Sequence, residues 1–142
     1  MATALLINVL GGPRVLKKVR TEDELRERLR EGLPYEAFDA LRLAFGLSLK
    51  DLGAVLAVPE RTLARRKRQR RLRPDESDRL VRLARIAAHA EDVLGSREKA
   101  SAWLHEPNRA LGNDAPVTRL DTDLGARQVD SVLGRIAHGL HS

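Results

Sequence analysis

Residues 61–73 hold eight cations and no acid: Arg61, Arg65, Arg66, Lys67, Arg68, Arg70, Arg71 and Arg73. Guanidinium forks suit phosphate oxygens and the guanine edge, and glutamine suits adenine, so Gln69 within this run adds to a nucleic-acid reading. At about 100° per helical residue, Thr62, Arg65, Arg66 and Gln69 share one stripe, with Leu63, Ala64 and the stem of Lys67 opposite. The expected DNA contacts are Arg61, Thr62, Arg65, Arg66, Arg68, Gln69 and Arg70. The competing reading is a solvated basic face or a localisation-type cluster.

Catalytic chemistry finds little to work with. His138 and His141 are spaced for one helix face but have no third ligand, and His89 and His105 are isolated. Asp121 and Asp123 form a carboxylate pair, yet both stand where a helix start favours acids. There is no Gly-rich phosphate loop, no serine nucleophile setting and no cysteine. The chain is expected not to be an enzyme and to use neither cofactor nor metal.

The elements that must position the basic run precede it. Ser48 is placed to cap a short helix, with Asp51 three residues on, and Leu49, Leu52, Val55 and Leu56 give that helix an apolar side. Ala57, Val58 and Pro59 interrupt it, and a second helix follows from about Glu60. Two short helices joined by a tight turn make a helix-turn-helix, which a mere charge run would not need. Gly53 sits where the two helices approach, and Leu52, Leu56, Val58 and Leu63 fall at its buried positions. The turn carries Ala57 where glycine is often found.

Composition bounds the rest. The chain has 142 residues, enough for one domain or two very small ones. Scarce aromatics and plentiful aliphatics favour helix-on-helix packing, hence an all-α fold. The absence of cysteine excludes disulfides and cysteine-ligated zinc. The apolar start, Ala2 to Leu10, is too short to span a membrane and lacks the basic flank of a signal peptide, so a cytoplasmic protein with no membrane partner is expected. Residues 1–60 carry nine basic and nine acidic side chains, and residues 96–142 six of each. The whole formal excess of +6 therefore lies in residues 61–95, which is the footprint of a polyanion site.

Taken in order, Met1 to Leu10 is an apolar run of strand or helix type, broken by Gly11, Gly12 and Pro13, and Arg14 to Val19 gives one more short turn or helix. Thr21 to Glu24 fits a capping box for a helix ended by Gly32. Pro34 opens a helix through Phe45, with Phe38, Leu41 and Phe45 spaced as core. Pro74 starts a long helix to about Leu94, which spans about 30 Å and carries a stripe of Leu80, Leu83, Ala84, Ala87 and Leu94. Ser96 caps a further helix to about His105, in which Trp103 and Leu104 are anchors. A loop with left-handed geometry at Gly112 and Asn113 follows. The last helix is capped by Asp121 or Thr122, packs through Val129, Val132, Leu133 and Ile136, and is stopped by Gly139. Three segments result: an arm, residues 1–32, that either dimerises or covers its own core; a helix-turn-helix domain, residues 33–95; and a small helical C-terminal module, residues 96–142.

The run LRPDESDRLVRLARIAAHAEDVLG, then AxxWLxxPNRALG and PVTRLDTDLGARQVDSVLGRIAHG, resembles the Xre-like antitoxins of the MbcA/ParS type, partners of RES-domain toxins. VPERTLARRKRQRRL resembles their reading helix, and the likeness covers roughly residues 32–142. Asn113 stands where the family tends to have a second glycine, and His141 where it often has an aromatic residue. The resemblance implies a homodimer, within a toxin–antitoxin hetero-oligomer, that binds operator double-stranded DNA in its own promoter. It also implies a C-terminal module that covers the active site of a NAD-consuming RES toxin through Arg135, Ile136, Gly139, Leu140 and His141, supported by Trp103, Pro107 and Asn108. Read from its residues alone, Arg135 is equally a surface ion-pair partner of Asp130 or Asp123. The rival reading is a stand-alone helix-turn-helix regulator with no toxin partner.

Overall fold

The computed structural model describes the backbone of residues 2–141 and the side chains of residues 3–139. Among these the chain is all helical: α1 (Ala2–Val9), α2 (Gly12–Val15), α3 (Glu22–Glu31), α4 (Tyr35–Phe45), α5 (Leu49–Leu56), α6 (Glu60–Gln69), α7 (Pro74–Leu94), α8 (Arg97–His105) and α9 (Asp123–His141), with 3-10 turns at Arg109–Leu111 and Pro116–Arg119.

Local chemistry sets most boundaries. The Thr21 hydroxyl accepts from the Glu24 amide while the Glu24 carboxylate reaches back to the Thr21 amide, so two otherwise orphaned donors at the start of α3 are satisfied together. Ser48, Ser96 and Thr122 cap α5, α8 and α9 in the same one-sided way, through the amides of Asp51, Lys99 and Gly125. Pro34 and Pro59 each stand one residue before their helix in an extended conformation, rather than within its first turn.

Helix α7 is the axis of packing. It touches α1, α3, α4, α5, α8 and α9, and Leu80, Val81, Leu83, Ala84, Ile86, Ala87, Ala88 and Ala90 are all buried along it. The alanines keep its flanks thin enough for neighbours on several sides. Phe38, Leu41 and Phe45 of α4 are fully buried, each worth about 1.5–3 kcal/mol of transfer free energy. A single core cluster runs from Leu6 to Leu133.

The N-terminal apolar run is helix, not strand. Leu6, Ile7, Val9 and Leu10 are buried, with α1 packed on α7 and α4. The short element after the glycines begins earlier than expected, at Gly12, where the chain enters through a left-handed Gly11. Leu49, expected on the apolar side of α5, is 42 % exposed at the first turn of that helix. Helix α9 does not stop at Gly139 but runs through it to His141. Glycine inside a helix costs about 1 kcal/mol relative to alanine and does not by itself end one. Among the described residues no helix is long and apolar enough to cross a membrane.

Candidate nucleic-acid interface and C-terminal surface

Helices α5 and α6 form the helix-turn-helix. The turn is closed by the Val58 amide donating to the Gly53 carbonyl at 3.0 Å and by Ala57 at φ 60°, a left-handed conformation that costs an L-residue about 1–2 kcal/mol. Glycine is needed at position 53 because a Cβ there would stand 2.9 Å from the Val58 carbonyl oxygen. After α6 the chain leaves through a left-handed Arg70 and pairs with the segment before α4. The Leu72 amide donates to the Leu33 carbonyl, and the Tyr35 amide to the Arg70 carbonyl. Gly32 makes this approach possible, since a Cβ at its φ of 94° would overlap the Leu72 carbonyl. The buried Ser77 hydroxyl accepts from the Leu33 amide and donates to the Arg73 carbonyl, both at 2.8 Å, tying the same junction to α7.

The packed side of α6 differs from the expected one. Thr62, Leu63 and Arg66 are buried, at 7, 1 and 8 % exposure, while Ala64 and Lys67 face solvent. The packed face is thus turned by about 100°, one residue, from the expectation that set Thr62 and Arg66 outward beside Arg65 and Gln69. The physical reason lies on α7. Arg66 donates through Nε and Nη2 to the two oxygens of Glu76, at 2.7 and 2.9 Å, and Glu76 is 1 % exposed. Burial pushes the Glu76 carboxyl up, but the two Arg66 hydrogen bonds and the Arg73 amide at 2.9 Å outweigh it and hold the group below the usual carboxylate range. The same hydrogen bonds raise Arg66 against its own desolvation. Arg66 is correspondingly withdrawn from the outward set; its remaining Nη1 lies 3.3 Å from Gln69 Oε1. Arg61, Arg65 and Arg68 are exposed on one side of α6, with Gln69 and Arg70 exposed at its C-terminal end. A buried ion pair therefore fixes the roll of the helix, and three arginines stand outward.

The C-terminal residues fall in two places. Trp103, half-buried, and Pro107 lie at the end of α8, and the Asn108 side chain accepts from the Ala110 amide while its backbone pairs with Asp114. Asn108 is thus the closing residue of a turn with left-handed Gly112 and Asn113, at φ 63° and 69°. Arg135, exposed, and Ile136, half-buried, lie with Gly139 on the last turns of α9. No hydrogen bond joins Trp103, Pro107 or Asn108 to Arg135 or Ile136 among the described residues. The side chains of Leu140 and His141 lie outside those described. Arg135 pairs with neither suggested acid: Asp130 is 2.7 Å from His89 Nδ1 of α7, and Asp123 is bound by Arg127.

The root of α9 is held by interactions that sequence reasoning missed. Arg119 donates to Asp114, to Gln128 of α9 and to the Leu111 carbonyl, joining the turn, the second 3-10 segment and α9 at one guanidinium. Gly125 lets α9 approach, since a Cβ there would fall 1.9 Å from the Arg119 carbonyl oxygen. The RxDTxxG spacing, Arg119 to Gly125, was the available signal.

Comparison with known proteins matches both halves. Residues 24–85 fit a family model described as the antitoxin Xre-like helix-turn-helix domain, and residues 89–139 one described as the antitoxin Xre/MbcA/ParS C-terminal toxin-binding domain. The chain is similar to proteins named Antitoxin Xre from three bacteria. The Yersinia enterocolitica protein is 30 % identical over 120 residues, which cover 83 % of this chain and 81 % of that protein. The Photorhabdus laumondii protein is 34 % identical over 116 residues, 80 % of this chain and 78 % of that protein. The Pseudomonas putida protein is 43 % identical over 83 residues, 58 % of this chain and 52 % of that protein.

Proposed function

Because the chain belongs to the Xre/MbcA/ParS family of antitoxins, with a helix-turn-helix and a toxin-binding domain, we propose that it neutralises a NAD-consuming RES-domain toxin and represses its own promoter. The last turns of α9 cover the entrance of the toxin's active site. Arg135 supplies a donor to acids that would otherwise meet the dinucleotide, and Ile136 and Gly139 supply the apolar and close contacts, continued by Leu140 and His141. Trp103, Pro107 and Asn108 shape the supporting turn. The observation that carries this reading is the contrast within α9: its first turns are clamped by Arg119 and Thr122, while Arg135 stands exposed with no ion pair among the described residues.

On the DNA side, Arg61, Arg65 and Arg68 enter the major groove, with Gln69 and Arg70 at its edge, while Thr62 and Arg66 set the helix's roll. Residues 33–95 serve DNA, residues 96–142 serve the toxin, and residues 1–32 cover the core and border the dimer. A homodimer would read two half-sites about 34 Å apart.

The test is cellular NAD in bacteria expressing the adjacent gene with this protein, full length or cut after Thr122. Preservation by the full-length chain alone supports neutralisation by α9. Unchanged NAD in the absence of any antitoxin removes the toxin assignment.

A further inference from the structure

The linear count of charge conceals a second basic surface. Residues 1–60 are neutral in total, yet the fold sorts their charges. Glu22 is drawn off to Arg85 of α7, Glu24 is spent in its cap, and Glu27 sits between Arg26 and Arg30. Arg14 and Lys17, both exposed, form no ion pair among the described residues. They line a cleft of about 660 Å³ with Arg28 of α3 and Arg71, the second residue past α6. Arg28 is fixed there by the Lys17 carbonyl at 2.8 Å, and Arg71 by the Glu31 carbonyl at 3.2 Å. Glu31 and Glu36 also border the cleft, and Glu36 is shared with a smaller hollow lined by Lys67 and Arg70 of the reading helix. Six cations against two carboxylates, one of them Glu31 at 3.8 Å from Arg28, thus line two hollows that meet at Glu36 between the C-terminal end of α6 and the N-terminal helices.

We propose that this track is a second DNA-contacting surface, which takes the phosphate backbone flanking the bases read by α6. It rests on the reading of α6 as the DNA-binding helix. The occupant is a polyanion because cations outnumber carboxylates six to two along the track, whereas its apolar lining is limited to Val15 and Pro34, with Tyr35 at the α6 end. Its inner hollow is lined by Lys67 and Arg70, so it adjoins the C-terminal end of the reading helix and one duplex can reach both. Such contacts carry no sequence information but set register and affinity.

The experiment uses the full-length protein and duplex DNA from its own promoter, with binding measured between 50 and 200 mM salt and hydroxyl-radical footprints taken at saturation. Arg14→Ala/Lys17→Ala removes two exposed side chains that hold nothing in the fold. For each bound protomer the slope of log K against log salt should fall by about 1.8, so the wild type's advantage shrinks about 12-fold over that salt range. Protection should be lost at the outer edges of the footprint and kept at its centre. An unchanged slope and footprint overturn the proposal. Arg65→Ala/Arg68→Ala is the control for the underlying reading: binding unaffected by that pair would remove α6 itself from the DNA, a different outcome.

Discussion

Substitution of Arg66 separates a structural arginine from a DNA-reading one. In Arg66→Met the Glu76 carboxylate, 1 % exposed, keeps the Arg73 amide but loses both guanidinium hydrogen bonds. Removing one partner of a buried pair costs about 3–5 kcal/mol, because the other charge stays desolvated. At roughly 3 °C per kcal/mol for a chain of this size, Tm should drop by about 9–15 °C. Replacing both partners, as in Arg66→Met/Glu76→Leu, should return most of that loss, since two apolar side chains of similar volume need no counter-charge. Arg65→Ala, on the exposed side of the same helix, should leave Tm within about 1–2 °C, as surface changes usually do. Salt titration of operator binding, at a temperature where all variants are folded, gives the complementary measure. Arg65→Ala should take about 0.9 off the slope of log K against log salt, and Arg66→Met nothing. If Arg66→Met melts like the wild type and lowers the slope as Arg65→Ala does, then Arg66 faces the duplex and the roll derived from Glu76 is wrong.

The same pair has a pH signature. The Glu76 carboxyl is held below its ordinary 4.5, so its contribution is complete above that pH and fades as acid protonates it. The stability gap between wild type and Glu76→Gln, followed by urea unfolding from pH 7 to 3, should stay constant down to about 4.5 and then narrow; a gap that widens in acid contradicts the assignment. Ala57→Gly should raise stability by about 0.5–1 kcal/mol, the left-handed penalty at φ 60° less the entropy glycine adds to the unfolded chain. A loss of stability in its melting curve would mean that the methyl group packs usefully. Gly125→Ala must push α9 off the Arg119 carbonyl, and should cost about 1–3 kcal/mol and weaken capture of the toxin in a pull-down without altering DNA affinity. Retention of toxin at the wild-type level would argue that the root of α9 does not set its tip.

Local signals were the legible ones. Thr21 with Glu24, Ser48 with Asp51 and Ser96 with Lys99 act within three residues, so the chain announces them in order. Spacing likewise placed Phe38, Leu41 and Phe45 in the core. The roll of α6 was not legible in this way. Periodicity assigns arginine to solvent, and the partner that draws Arg66 inward is ten residues away on another helix. Leu49 failed for a related reason: its spacing fits the apolar face, but at the first turn of α5 it is left 42 % exposed, and coverage by other elements is not written in spacing. The C-terminal surface is proposed only through resemblance, because Arg135, Ile136 and Gly139 have no pattern that distinguishes a partner's contact from an ordinary helix end. The basic cleft escaped altogether, since Arg14, Lys17 and Arg28 meet Arg71 only once the chain is folded.

Helix α7 has a consequence for how the two halves communicate. One side packs α5 beside the reading helix, another packs α9, and no flexible tether lies between them. Linker slack and effective concentration therefore have no part in this molecule. On the proposed function, a protein held by α9 would ride at a fixed bearing and distance from a groove occupied by α6. Whether neighbouring sites on a duplex can be filled at once becomes a question of solid geometry, decided by the bulk of the cargo and by the helical phase between sites.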